Sequence, residues 1–153
     1  MLTEGVDYLY FPRAYHSGGA VTGLANSEVA VIATQRYLFL VPEREVSLGL
    51  GWIKTRRHWF HEAATELTVQ GALERFLANP DLTIDQVETA LRDLVGPGEY
   101  VVPLAGIAKL TVWSRFLRQV RFRQHHRRQT QVLALRGKAN HERFRDFYAA
   151  ALT

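Results

Sequence analysis

Two apolar, β-prone runs, Val29–Thr34 and Tyr37–Val41, flank the polar pair Gln35-Arg36. Branched and aromatic side chains on both sides of a short polar break are the signature of a β-hairpin. Pro42 ends the second run, because proline has no N–H to give a strand ladder. The residues around the hairpin continue in the same style. Asp7–Pro12 reads as a short aromatic strand, Arg13–Gly19 as a glycine-containing turn, Ala20–Leu24 as a further strand and Ala25-Asn26-Ser27 as another turn. Val46–Ile53, broken by Gly49 and Gly51, is a weaker strand.

The period changes over residues 61–95. Val69, Leu73, Phe76 and Leu77 fall at i, i+4, i+7 and i+8, the stripe of an amphipathic helix, which Asn79-Pro80-Asp81 stops. Thr83 with Gln86 three residues on matches a capping box. Behind it Ile84, Val87, Leu91 and Leu94 line one face until Gly96-Pro97-Gly98. Strands then return at Tyr100–Pro103, at Ile107–Trp113 with Ala108, Leu110 and Val112 inward, and at Val120 and Phe122, which alternate with Arg121 and Arg123. His125–Arg128 makes a turn, Gln131–Leu135 runs back, and Gly137 breaks the chain before a last helix from about Asn140. There Phe144, Phe147, Tyr148 and Ala151 share a face.

Strands, an inserted helix pair and a closing helix predict an α+β fold, a small antiparallel barrel or sandwich. Two segments carry a resemblance. Ala33–Pro42 (ATQRYLFLVP) is similar to the "T-x-R-L-Y" strand pair of the pleckstrin-homology-like (PH-like) superfamily, and Val102–Leu110 (VPLAGIAKL) to its "I-P-L-x-x-I-x-x-V" step, especially in the GRAM and bacterial PH-like branch. The resemblance implies a PH-like barrel over 1–153 with 61–95 as a helical insertion, and His141–Leu152 as a capping helix that plugs one open end. It also implies a binding module, since such domains mostly recognise inositol phosphates, peptides or proteins. The family's lipid signature places basic residues in the first hairpin, where this chain offers only Arg13 and His16.

Composition narrows the function classes. The 153 residues are 47% hydrophobic and 22% charged, ordinary globular usage that excludes general disorder, a collagen and a disulfide scaffold. Without cysteine there is no disulfide, thiolate metal site or cysteine nucleophile, which suits a reducing, cytoplasmic setting. Met1–Asp7 carries Glu4 and Asp7 and no basic residue, unlike a signal peptide. The longest aliphatic runs fall far short of the roughly 20 residues that a spanning helix needs, so a soluble protein is expected. Charge is lopsided: residues 1–108 carry a net −5 and residues 109–153 a net +9.

Catalytic motifs fail one by one. His58 and His61 beside Glu62 have helical i, i+3 spacing, but His61-Glu62 is not followed by the second histidine of H-E-x-x-H, and neither is His141-Glu142. His58 and His61 remain the metal candidates; no metal or other cofactor is expected. Gly49-Leu50-Gly51 lacks the third glycine of a dinucleotide loop, and none of the four serines sits in a G-x-S-x-G elbow. What remains is a basic constellation: Arg115, Arg118, Arg121, Arg123, Arg127 and Arg128, with His125 and His126, and a second segment of Lys54, Arg56 and Arg57 beside Trp52 and Trp59. Arginine suits planar contact with carboxylate or phosphate.

The expectation is therefore a non-catalytic binding or scaffolding module for an anionic partner, an acidic protein segment or a phosphate-bearing ligand, with peripheral membrane contact and homo-oligomer formation compatible. The alternatives are nonspecific nucleic-acid binding through the same arginines and a small metal-dependent hydrolase. Major-groove DNA reading is rejected, because residues 61–95 hold 7 acids against 2 bases. The bland reading is that the basic third neutralises the acidic remainder of the same chain.

Overall fold

A computed structural model describes residues 1–17, 27–42, 69–95, 100–113, 116 and 118–152. Its strands are β1 (Tyr8–Ser17), β2 (Ser27–Thr34), β3 (Tyr37–Pro42), β4 (Val101–Pro103), β5 (Ile107–Trp113), β6 (Gln119–Gln124) and β7 (Gln131–Leu135). The helices are α1 (Val69–Leu77), α2 (Ile84–Val95) and α3 (Gly137–Phe147). All seven strands pair antiparallel in one sheet, in the order β4-β3-β2-β1-β7-β6-β5.

That order forces the sheet to curl. Its two edges, β4 and β5, are consecutive in the chain, separated by the 3₁₀ turn Leu104–Gly106. A flat sheet of this size would hold its edges about 29 Å apart, whereas the chain from Pro103 to Ile107 reaches at most about 14 Å. The result is a half-barrel. The link is bonded on both sides: Leu104 N–H donates to Arg36 O in the β2–β3 turn and His125 N–H donates to Gly106 O, both at 2.9 Å.

The curled sheet has two apolar faces. Along β2 and β3, Val31 and Leu40 point into the barrel with Leu9, Phe11 and Phe122. Their neighbours Ile32, Phe39 and Val41 point outward and pack under Leu73 of α1 and Leu91 of α2. The expected helix pair is thus a lid on the outer face of β1–β3, and the capping box forms as anticipated: Thr83 N–H donates to Gln86 Oε1 at 2.9 Å, and Gln86 N–H to Thr83 Oγ1 at 3.3 Å. α3 closes the barrel interior with Phe144 and Tyr148, whose rings meet edge-on at 4.8 Å. The α+β class and the C-terminal capping helix are as expected, and the architecture is compatible with a PH-like fold.

Three local readings differ. β1 does not stop at Pro12: it runs to Ser17 through a register shift between Phe11 and Ala14. A bulge accommodates a proline without a missing ladder bond, so Arg13 and His16 lie on a strand and not in a turn. Ala108 is exposed and not inward, because a second shift between Ile107 and Lys109 turns Ile107 to the barrel. α3 begins at Gly137, whose φ of +80° makes the corner out of β7, a backbone state that glycine adopts without strain. The expected strands Ala20–Leu24 and Val46–Ile53, and residues 61–68, lie outside the described residues.

A polar latch joins lid, turn and plug. The Thr34 hydroxyl donates to Glu88 Oε1 of α2 at 2.6 Å, and accepts Tyr37 N–H at 3.0 Å. The Glu88 side chain is only 2% exposed, and its other oxygen is ion-paired with Arg36, which also holds Asp85. Tyr148, the residue just after α3, donates its hydroxyl to Thr34 O at 2.6 Å.

Two outcomes are expected. Thr34→Val leaves a buried carboxylate oxygen without its donor and lowers unfolding free energy by about 1–3 kcal/mol in urea titration. Burial first, and the Glu88 charge second, push the Tyr148 phenol well above its ordinary value of 10.0. The fold therefore binds the neutral phenol, and this stabilisation is complete below pH 10 and is lost as pH rises toward the folded value. In Tyr148→Phe, stability measured between neutral pH and pH 11 falls less steeply above pH 10 than in the parent, and an equal slope would refute the assignment.

Candidate functional site

The described part of the basic constellation, Arg118 to Arg128, lies on one ribbon. β5 and β6 pair from Ile107↔Gln124 to Trp113↔Gln119, and β6 continues through the turn at His125–Arg128 into β7. Period-2 alternation does the sorting: Val120 and Phe122 are buried in the barrel, while Arg121 and Arg123 face outward. Opposite them on β5 stand Thr111 and Lys109.

Each candidate cation has its own setting. The Arg121 guanidinium lies 4.6 Å from the Trp113 ring centroid and donates from Nε and Nη2 to Gln119 Oε1 at 3.2 and 3.1 Å. Stacking and a fork-shaped bond together fix its plane. Arg123 and Arg128 are exposed, Arg127 is half-buried, and His125 and His126 are exposed. Arg118 precedes β6 with φ +39°, the left-handed region that a side-chain-bearing residue adopts at some cost. Arg115, Lys54, Arg56, Arg57, His58, His61 and Glu62 lie outside the described residues, so the second basic segment and the metal candidates are not placed. Among the described residues no group of three or more His, Asp or Glu is arranged to hold a metal ion.

Carboxylates are distributed selectively. In α3, Arg143 pairs with Glu4 at 2.7 Å, Lys138 with Glu142 at 3.5 Å and Arg145 with Asp146 at 3.2 Å. Arg13 on β1 lies 3.9 Å from Glu28. Asp85 and Glu88 of α2 are taken by Arg36, which comes from the acidic two-thirds of the chain. Among the described residues Lys109, Arg118, Arg121, Arg123 and Arg128 have no carboxylate within ion-pair distance. Internal neutralisation thus accounts for the helix and leaves these five cations out.

Sequence reading missed a polar group inside the barrel. His16, Gln124 and Gln131 are buried, and His16 Nε2–H donates to Gln131 Oε1 at 3.2 Å. Gln131 stands opposite Phe122, and Gln124 is one pleat further along β6, so the two amides are diagonal neighbours on the inner face. The Nε2 atoms of Gln124 and Gln131 have no hydrogen-bond partner. The signal was present: Val120-x-Phe122-x-Gln124 and Gln131-x-Leu133-x-Leu135 place both amides in inward register. His141, the other histidine of a failed H-E motif, is fully buried. Leu135 N–H donates to its Nε2 at 3.2 Å and its Nδ1–H donates to Gly137 O at 2.8 Å. Both ring nitrogens are used, so His141 fixes the β7–α3 corner.

No protein-family model, curated protein sequence or solved structure matches the chain. The site therefore rests on its own geometry.

A buried, unpaired amide donor costs about 1–3 kcal/mol. Gln124→Leu, which removes one of the two, is expected to raise the calorimetric midpoint by about 2–4 °C. A lowered midpoint would show that this amide is satisfied in solution.

Proposed function

We propose that this chain is a non-catalytic, PH-like binding module that receives an anionic partner, an acidic protein segment or a phosphate-bearing ligand, on the β6–β7 ribbon from Arg121 to Arg128. One observation carries the reading: Arg121, Arg123 and Arg128 have no carboxylate partner among the described residues, while the cations of α3 do. A guanidinium held flat and unpaired is pre-organised for two parallel bonds to a carboxylate or phosphate, so less side-chain freedom is lost on binding. Arg121 is held flat by the Trp113 ring and by Gln119 Oε1 on its Nε and Nη2, which leaves Nη1 and the second Nη2 hydrogen for a ligand. The closure link supports the placement, since His125 N–H on Gly106 O anchors the basic turn to the barrel seam.

Nonspecific nucleic-acid binding is the second reading. It is favoured by the outward aromatic rings that guanidinium groups cover, Trp113 under Arg121 and Tyr15 under Arg136 at 6.0 Å, because such platforms stack bases.

Changing Arg121, Arg123, Arg127 and Arg128 together to Ser is expected to weaken binding of a polyglutamate peptide or an inositol phosphate at least about tenfold, about 1.4 kcal/mol, in titration calorimetry. Unchanged affinity would remove the ribbon. Tighter binding to single-stranded RNA than to either probe, falling steeply with salt, would favour the second reading.

A further inference from the structure

The ribbon has a second end, and it differs in chemistry from the basic turn. β5 and β6 pair antiparallel up to Trp113↔Gln119, and at the tip between those two residues Phe116 is 98% exposed. Trp113, the last residue of β5, is 41% exposed and lies beneath the Arg121 guanidinium. Arg118 follows in an exposed position. No acidic residue occurs anywhere from Tyr100 to His141, a stretch with nine lysines and arginines. A fully solvated phenylalanine at a hairpin apex, with an interfacial aromatic and unpaired cations behind it, is a surface with two separate signals, one apolar and one positive.

We infer that this tip docks on an anionic lipid bilayer, with Phe116 entering the interfacial region and Arg118 and Arg121 resting at the headgroup level. Charge complementarity selects this occupant. An apolar protein groove would satisfy Phe116 yet leave the flanking cations unused, whereas an anionic membrane takes both at once. Trp113 suits the same depth, since its ring has an apolar body and one polar N–H. The contact is reversible: a single ring and a few cations hold a domain weakly, well short of a spanning helix, and no helix of the described residues is long and apolar enough to cross a membrane. The inference is independent of the basic turn, because the tip and residues 125–128 lie at opposite ends of β6.

Co-sedimentation with phosphatidylcholine vesicles, with and without phosphatidylglycerol, tests it on the full chain. The parent is expected to bind only the phosphatidylglycerol vesicles. Phe116→Ser is expected to lose at least about tenfold in partition, about 1.4 kcal/mol, and Arg118→Ser with Arg121→Ser a comparable amount. Arg127→Ser with Arg128→Ser is expected to leave vesicle binding within about twofold while weakening the polyglutamate or inositol phosphate contact proposed above. Undiminished vesicle binding by Phe116→Ser would overturn the inference without touching the reading of the basic turn. So would a parent that ignores vesicles but forms a concentration-dependent dimer, abolished by Phe116→Ser, in light scattering. Phe116 is wholly exposed, so the Ser variant should retain the parent's circular dichroism and melting curve.

Discussion

The short link between the two edge strands is the constraint on which the rest of the molecule depends. A three-residue 3₁₀ turn joins β4 to β5, and no flat sheet can meet that distance. Curling follows, and it creates an interior that the strands alone do not fill. α3 completes it with Phe144 and Tyr148. The same link holds the β2–β3 turn through Leu104 and the β6–β7 turn through His125. One short segment therefore sets both the barrel's closure and the position of its basic turn.

The β2–β3 hairpin lies where the two cores meet. Because successive strand residues face opposite ways, β2 and β3 give Val31 and Leu40 to the barrel, and Ile32 and Phe39 to the helical lid. Apolar surface on both faces would be a liability on an uncovered sheet. Here one face is sealed by α3 and the other by α1 and α2. The latch of Thr34, Arg36, Glu88 and Tyr148 ties all three layers at one turn. A buried carboxylate is tolerable there because a hydroxyl and a guanidinium both reach it.

Charge is organised by the fold in a way the net values conceal. Among the described residues Glu4, Glu28, Asp85, Glu88, Glu142 and Asp146 pair with Arg36, Arg13 and the cations of α3, and Arg121, Arg123 and Arg128 on the outer ribbon receive no carboxylate. Two unlike ends result: a basic turn pinned at the seam, and an aromatic tip carrying Phe116. Between them Arg121 is immobilised on Trp113. A rigid cation on a strand is a better recognition element than a mobile one, since less conformational freedom is lost on contact.

Sequence alone determined the local pieces. The hairpin around Gln35-Arg36, the capping box at Thr83, the outward alternation of Arg121 and Arg123 and the apolar stripe of the last helix all follow from interactions within a few residues, and such interactions are written in spacing. The α+β class followed from their order. Tertiary structure alone decided what those pieces meet. Nothing in spacing reveals that Glu88 reaches Thr34 across 54 positions, or that Tyr148 reaches it across 114. The bulge past Pro12 is likewise fixed by the pairing of β1 with two neighbours. Gln124 and Gln131 were legible as inward positions, but not as amides lacking partners, because satisfaction depends on which side chains lie across the barrel. Partnership between distant residues is a property of closure, and closure exists only once the edges have met.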